Sequence, residues 1–271
     1  MSLNKKKKNK QDANLQKHNY WREGKYLGIV TLLLWFAVWF TLTRDGIGLI
    51  RPIMFPSPIM VFNAAIRISS VLSKDIIATS LRVLAGFCTG VFLGVSMGIL
   101  MSLFKKLYYF FNPLVESARP VPVIAMIPFF LMWFGIREEG KFLLVVLGVF
   151  TIMIVNTLES VRNVPKIYIK AAQTLGASEI QIFRRIIIPA IVPSLIGPLR
   201  TCAALSFTLV VAAEFMGAKA GLGFRILESR RLFYTDVIFL GIVLFGVLAV
   251  VLDFGVRKIT GYIVRWSERI I

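Results

Sequence analysis

Apolar positions along this chain gather into long runs such as "YLGIVTLLLWFAVWFTLT" and "FLLVVLGVFTIMIV", with almost no strict alternation. Runs of that length predict helices that cross a hydrocarbon core of about 30 Å. Six are predicted: Tyr26–Thr43, Thr79–Phe104, an interrupted third that opens near Phe110 and continues through Val121–Gly135, then Phe142–Leu158, Ile188–Phe215 and Val237–Val256. A helix satisfies its own backbone in lipid, so the expected fold class is an all-α integral membrane protein of about six spans. The expected organisation is a basic tail over 1–25, a first span with its outer loop over 26–54, and a core over 55–256. A polar loop over 159–187 interrupts the core, and a tail over 257–271 follows it. Before the second span, "FPSP" (Phe55–Pro58) signals a turn, and "VFNAAIRISSVL" has the helical spacing of a segment lying along the membrane surface.

Three interruptions of the apolar pattern carry information. Gly86, Gly90, Gly94 and Gly98 recur every fourth residue on one face of the second span, the spacing that lets another helix backbone come close in lipid. That is a packing signature rather than a ligand site. "RPVPVIAMIP" (Arg119–Pro128) holds Pro120, Pro122 and Pro128 within nine residues, so a regular helix must break there. Broken helices in membranes belong where protein or a water-filled cavity satisfies the freed carbonyls, which makes the third span the candidate lining of a pathway.

The third interruption is "KAAQTLGASEIQIFRRIIIPAIVP" (Lys170–Pro193). On a helical wheel, Lys170, Thr174, Ser178, Gln181, Arg184 and Arg185 fall together. Ala171, Ala172, Leu175, Ile182, Phe183 and Ile186 take the other side, with Glu179 out of place. Gly176 is a helix-stop residue, and "SEIQ" (Ser178–Gln181) is a capping box that starts a new helix. The segment therefore reads as two short helices with an elbow at Gly176–Ser178. Pro189 and Pro193 stand early in the next span, where a missing amide hydrogen costs least. An interfacial helix in the headgroups is the plain reading; a docking knuckle for a cytoplasmic partner is the sharper one.

Composition fits this picture. The chain has 271 residues, 57% of them hydrophobic and 17% charged, with a mean hydropathy of +0.75. The net charge of +18 would suggest nucleic acid in a soluble protein, but its distribution argues against that partner. Eight Lys/Arg, including the run Lys5–Lys8, lie in the first 25 residues against Asp12 and Glu23, and most other basic residues flank spans. Such residues are retained on the cytoplasmic side, beside anionic lipid. With six spans, both termini and the loop over 159–187 are expected to be cytoplasmic. The exception is Gly217–Thr235, whose Lys219, Arg225, Arg230 and Arg231 fall on the outer side. The tail, with the sole histidine His18, lacks the h-region of a cleaved signal. Cys88 and Cys202 sit in apolar runs and read as small buried residues rather than a disulfide or metal pair.

Catalytic constellations such as HExxH or GxSxG do not occur. "GIREEGKF" (Gly135–Phe142) follows the P-loop spacing only until Phe142 replaces the magnesium-binding hydroxyl, and Glu138 and Glu139 would repel phosphate. The chain is thus expected to be no enzyme and to hold no cofactor or metal. Ionisable residues near spans, namely Arg82, Glu116, Arg119, Arg200 and Glu214, are costly at membrane depth. Arg82, Arg119, Pro120, Pro122, Ser206 and Glu214 are the candidates for a translocation path; snorkelling or internal ion pairing is the competing reading.

"KAAQTLGASEIQIFRRIIIP" resembles the EAA loop of ABC importer permeases through Ala171, Ala172, Gly176 and Pro189, with Lys170 where that family has Glu. "FPSP", "SLRVLAGF" (Ser80–Phe87), "NPLVESARPVPVIAMIPFFLMWFGI" (Asn112–Ile136), "AAEFMGAKAGLG" (Ala212–Gly223) and "YTDVIFLGIVLFGVLAVVLD" (Tyr234–Asp253) are similar to the branch that carries nitrate, taurine, aliphatic sulfonates and bicarbonate. The resemblance covers Phe55 to Asp253. It implies a type I importer fold in a prokaryotic inner membrane, with the loop as a coupling helix. Lys170, Ala171, Ala172, Gln173, Thr174, Leu175, Gly176, Ala177, Ser178, Glu179 and Pro189 would be its ATPase-coupling residues. It also implies two cytoplasmic ATPase subunits holding ATP and Mg, a second permease copy as homodimer partner, and an extracytoplasmic binding protein that delivers a small solute, an anion among the expected cargos. An ion-coupled secondary transporter or a channel without an ATPase is the alternative, and it leaves the EAA-like loop unexplained.

Overall fold

The computed structural model describes residues 27–43, 51 and 53–265. The basic tail, Tyr26, residues 44–50, Pro52 and the last six positions lie outside the described residues. By its internal contacts the chain divides into two units, residues 1–64 and 65–271.

In the first unit, α1 (Leu27–Leu42) is apolar and, over the described residues, shorter than a span needs at about 1.5 Å per residue. Trp39 is its buried anchor: its indole N–H donates to the Pro56 carbonyl at 3.1 Å, and its ring meets Phe55 edge-on at 6.1 Å. α2 (Pro58–Arg67) starts at the second proline of "FPSP", where the absent amide hydrogen costs nothing. It ends before Ile68, so "VFNAAIRISSVL" divides between α2 and the helix after it.

The second unit is a bundle of helices. α3 (Ser69–Leu103) is followed by α4 (Lys105–Ala118), a short 3-10 turn (Val123–Met126) and α5 (Ile127–Phe134), then by α6 (Glu138–Arg162). α7 (Lys166–Thr174) and α8 (Glu179–Ile182) form the polar loop. One π-helical turn (Phe183–Ile187), α9 (Ile188–Ile191), a 3-10 turn (Pro193–Leu195) and α10 (Ile196–Phe215) complete the next span. α11 (Leu222–Arg231) and α12 (Thr235–Ile263) close the chain.

Among the described residues, four helical stretches are long and apolar enough to cross a membrane: α3, α6, Glu179–Phe215 and α12. A fifth results if α4 and the segment Val123–Phe134 count as one span broken by 89°. The break falls on Pro120 and Pro122, as the sequence predicts. The second span begins ten residues earlier than expected, because the polar stretch before Thr79 is helical too.

The dominant packing is α3 on α6, and the glycine ridge dictates it. A Cβ placed on Gly86, Gly90, Gly94 or Gly98 would lie 2.6–2.7 Å from the Cβ of Val145, Val149, Met153 and Thr157 respectively. Real Cβ atoms do not approach so closely, so only glycine permits this spacing. The matched order also shows that the two helices run parallel, which requires the broken segment between them to carry the chain back. Around this pair, Val83, Phe87, Met153, Cys202, Phe207 and Leu209 form one buried core joining α3, α6 and α10. Cys202 is buried as expected, but Cys88 is exposed, because it lies on the face of α3 opposite the glycine ridge.

Overpacking a tight core costs about 1–3 kcal/mol per site. Gly94→Ala is therefore expected to lower the unfolding midpoint in detergent, and Gly94→Leu to abolish accumulation of the folded chain. Gly246→Ala, where the added Cβ meets nothing, is the control. Equal stability of all three would contradict the ridge.

Candidate functional site

Two places concentrate polar chemistry: the elbow after α7 and a buried charge cluster near the start of α3. At the elbow, α7 closes with the two bonds of a Schellman turn, Ala177 N–H to the Ala172 carbonyl at 3.0 Å and Gly176 N–H to the Gln173 carbonyl at 2.9 Å. Gly176 has φ +78°, a left-handed conformation that glycine adopts without a Cβ penalty. The capping box is present: Ser178 N–H donates to Gln181 Oε1 at 2.9 Å, and Gln181 N–H donates to Ser178 Oγ at 3.4 Å.

The single helical wheel fails across this elbow. Ile182 and Phe183 are buried as placed, but Leu175 is 88% exposed, because the helix stops at Thr174 and the chain turns. Glu179 then stands in the first turn of α8, where a carboxylate complements the helix dipole. Ile167, Tyr168, Leu175 and Ile180 form an exposed apolar set on this polar loop. Pro189 lacks the amide that would continue regular bonding, and the π turn directly before it absorbs the mismatch, with Ile188 N–H donating to the Phe183 carbonyl. The elbow thus passes into the span through continuous helix rather than a flexible linker.

The charge cluster joins four helices. Glu214, near the end of α10, is fully buried. It accepts hydrogen bonds from Thr79 Oγ1 at 2.8 Å, Arg82 Nη1 at 2.6 Å and Gly223 N–H at 2.6 Å. Thr79 Oγ1 accepts in turn from Leu222 N–H at 2.9 Å, and Asp75 accepts from Gly221 N–H and Arg225 Nε, both at 2.8 Å. The first amides of α11 are thereby capped by side chains of α3 and α10. Gly221 has φ +132°, and the Glu214 carboxylate occupies the space where a Cβ would stand. Arg82 also donates to the Ala220 carbonyl and forks onto Glu138 at 2.6 and 2.9 Å, and Lys141 holds Glu138 at 3.0 Å. The two buried carboxylates, Glu214 and Asp75, each have an arginine partner, which is the condition for keeping such groups out of water.

Of the sequence candidates for a path, Arg82 and Glu214 are thus brought together, with their bonding directed at the protein. Ser206 is fully buried and donates to the Cys202 carbonyl of its own helix at 2.8 Å. Arg119, Pro120 and Pro122 are exposed at the break, and Arg119 pairs with Glu159 at 3.5 Å. Arg200 pairs with Asp253 on α12 at 2.7 Å. Asp75, Thr79 and Arg225 were not among the candidates. Asp75, Thr79 and Arg82 stand at i, i+4 and i+7, a polar stripe on one helix face that the sequence does display.

Removing one partner of a buried ion pair leaves the other uncompensated, at about 3–5 kcal/mol. Arg82→Ala should therefore destabilise the folded chain strongly in chemical denaturation. The double variant Arg82→Gln with Glu214→Gln should cost less than the sum of the two single glutamine substitutions. Strict additivity would count against the pair.

Residues 90–265 match the family described as binding-protein-dependent transport system inner membrane component. The taurine transport system permease protein TauC of Escherichia coli is 31% identical over 251 residues, 90% of each chain. A putative aliphatic sulfonates transport permease protein, SsuC of Bacillus subtilis, is 28% identical, covering 92% of this chain and 88% of that one. In fold, the chain resembles a solved chain of the MetNI methionine ABC transporter in an inward-facing conformation. The TM-score is 0.61 at 20% identity, over 72% of this chain and 96% of that chain. With more than half of its length matched, the chain belongs to the family of inner-membrane permease components of binding-protein-dependent ABC importers.

Proposed function

We propose that the elbow at Gly176–Ser178 is where this permease receives work from a cytoplasmic ATPase, and that the broken segment α4–α5 lines the path of the solute. The observation that carries the reading is the exposure of Leu175 on a rigid, doubly capped turn that continues directly into a span. With Ile167, Tyr168 and Ile180 it makes an exposed apolar set, held by backbone bonds on both sides of the turn, that is suited to a groove in another protein. Lys170–Glu179 and Pro189 are the coupling residues under this reading, and Lys170 replaces the family's carboxylate with a cation. ATP and Mg would be held by two copies of the partner, not by this chain.

The remaining parts of the proposal follow from the family. A second permease copy completes the pathway, an extracytoplasmic binding protein delivers the solute, and both termini face the cytoplasm of a prokaryotic cell. The names of the relatives point to taurine or another small sulfonate as cargo. Arg119, exposed at the break, supplies a cation suited to such an anion. Pro120 and Pro122 break the helix beside it. Arg82 and Glu214, being bonded across helices, act by holding the surrounding spans.

A tagged chain is expected to co-purify with its ATPase and to support ATP-dependent uptake of radiolabelled taurine in proteoliposomes containing the cognate binding protein. Gly176→Pro, which forces φ to about −65°, should cut uptake about tenfold or more while the chain still inserts. Uptake without any ATPase, or unchanged uptake by the variant, would favour the stand-alone carrier instead.

A further inference from the structure

A cavity of about 210 Å³ lies where the ends of α3 and α6 meet the start of α4. Ser102, Lys105, Tyr108, Tyr109, Leu158 and Arg162 line it, and among the described residues no carboxylate does so. Arg162 is held in place there: its guanidinium donates to the Tyr108 hydroxyl and lies over the Tyr108 ring at 4.9 Å. A guanidinium carries several N–H donors, so one hydroxyl does not exhaust it, and the Tyr108 O–H keeps its own proton to donate. Ser102 is already committed, donating to the Gly98 carbonyl at 2.8 Å. Lys105 is exposed, and among the described residues neither cation is paired with a carboxylate. Glu159, one turn earlier on α6, is engaged by Arg119 at 3.5 Å. Two cations and a phenol around one space are complementary to a phosphate group, which accepts several charge-assisted hydrogen bonds at once.

The surroundings decide which phosphate. α3 and α6 are both long and apolar enough to cross a membrane, and the cavity sits at the end of each. Beside it, Leu103, Phe104 and Phe110 are exposed large apolar side chains. The Tyr108 and Tyr109 rings meet edge-on at 5.6 Å, next to Lys105 and Lys106. Tyrosine and lysine at the end of a span mark the headgroup level, and basic pockets between spans there take anionic headgroups. A free phosphate would leave the apolar rim without a role. α6 ends at Arg162 and α7 starts at Lys166, so a molecule held here grips three helix ends directly before the elbow.

We infer that this cavity holds the phosphate of an anionic phospholipid. Lys105, Arg162 and Tyr108 donate to its oxygens, and its acyl chains lie along Leu103 and Phe104. Such a site needs only that α3 and α6 cross a membrane, and it is independent of the coupling role proposed for the elbow.

The test uses the complete transporter, delipidated in detergent, with phosphatidylglycerol, phosphatidylcholine or inorganic phosphate added. Bound lipid is counted by native mass spectrometry, and stability is followed by thermal unfolding. Phosphatidylglycerol should be held more tightly than phosphatidylcholine, and less tightly as salt rises. Lys105→Gln with Arg162→Gln should weaken phosphatidylglycerol binding about tenfold or more. Arg230→Gln with Arg231→Gln removes the same charge away from the cavity and should leave binding unchanged. Lys105→Glu alone places a carboxylate in the first turn of α4, which has none, where the helix dipole favours it. Its melting temperature without lipid should hold or rise while lipid binding falls. Equal weakening by the two double variants, or wild-type binding in Lys105→Glu, would overturn the site. Stabilisation by inorganic phosphate equal to that by phosphatidylglycerol would overturn the lipid assignment in favour of a free anion. Each of these outcomes leaves the permease reading intact, because ATP-dependent uptake tests that reading separately.

Discussion

The structure depends on one close approach, the parallel contact of α3 and α6 along a ridge of four glycines. Because the backbones nearly touch, the two helices share a fixed height and rotation, and no other side chain is tolerated in the ridge. That register sets Arg82 against Glu138 at one end of the pair. At the other end, Arg162 of α6 meets Tyr108 of α4 through both a hydrogen bond and a cation–π contact of 4.9 Å. In lipid, where apolar contact between helices brings no gain over contact with acyl chains, such steric fit supplies the packing energy. The price is a parallel pair that must be bridged by a returning segment, and the prolines at the bend are how the chain makes that return.

From this frame the polar features acquire a mechanical meaning. The span Glu179–Phe215 has the elbow at one end and Glu214 at the other. In the proposed mechanism, a push on Leu175 passes through the π turn and α10 to a carboxylate that caps α11. The buried cluster is then a joint. Its hydrogen bonds and ion pairs keep α3, α6, α10 and α11 together while the elbow moves.

Local features were legible in the sequence and non-local ones were not. The glycine series, the proline break, the stop at Gly176 and the Ser178–Gln181 capping box are written in consecutive residues, and each stands where the pattern puts it. Glu214 and Arg82 could be singled out as costly charges, but Thr79 and Glu214 are 135 residues apart, and no periodicity reports such a pairing. The exposed Leu175 was misplaced because a wheel assumes one continuous helix, which the elbow breaks. The exposure of Cys88 follows from which face of α3 the ridge occupies. The left-handed backbone of Phe233 after α11, at φ +57°, has no sequence signature, since such turns are ordinarily recognised by glycine.

The central claim is that the elbow is seated on a cytoplasmic ATPase. The most direct measurement is the labelling of Leu175→Cys, in a background without Cys88 and Cys202, by a membrane-impermeant maleimide in inside-out vesicles. The account predicts that the thiol is protected while the ATPase is bound, reacts once the ATPase is stripped, and is not labelled in intact cells. Equal labelling with and without the ATPase, or labelling from outside the cell, would contradict it.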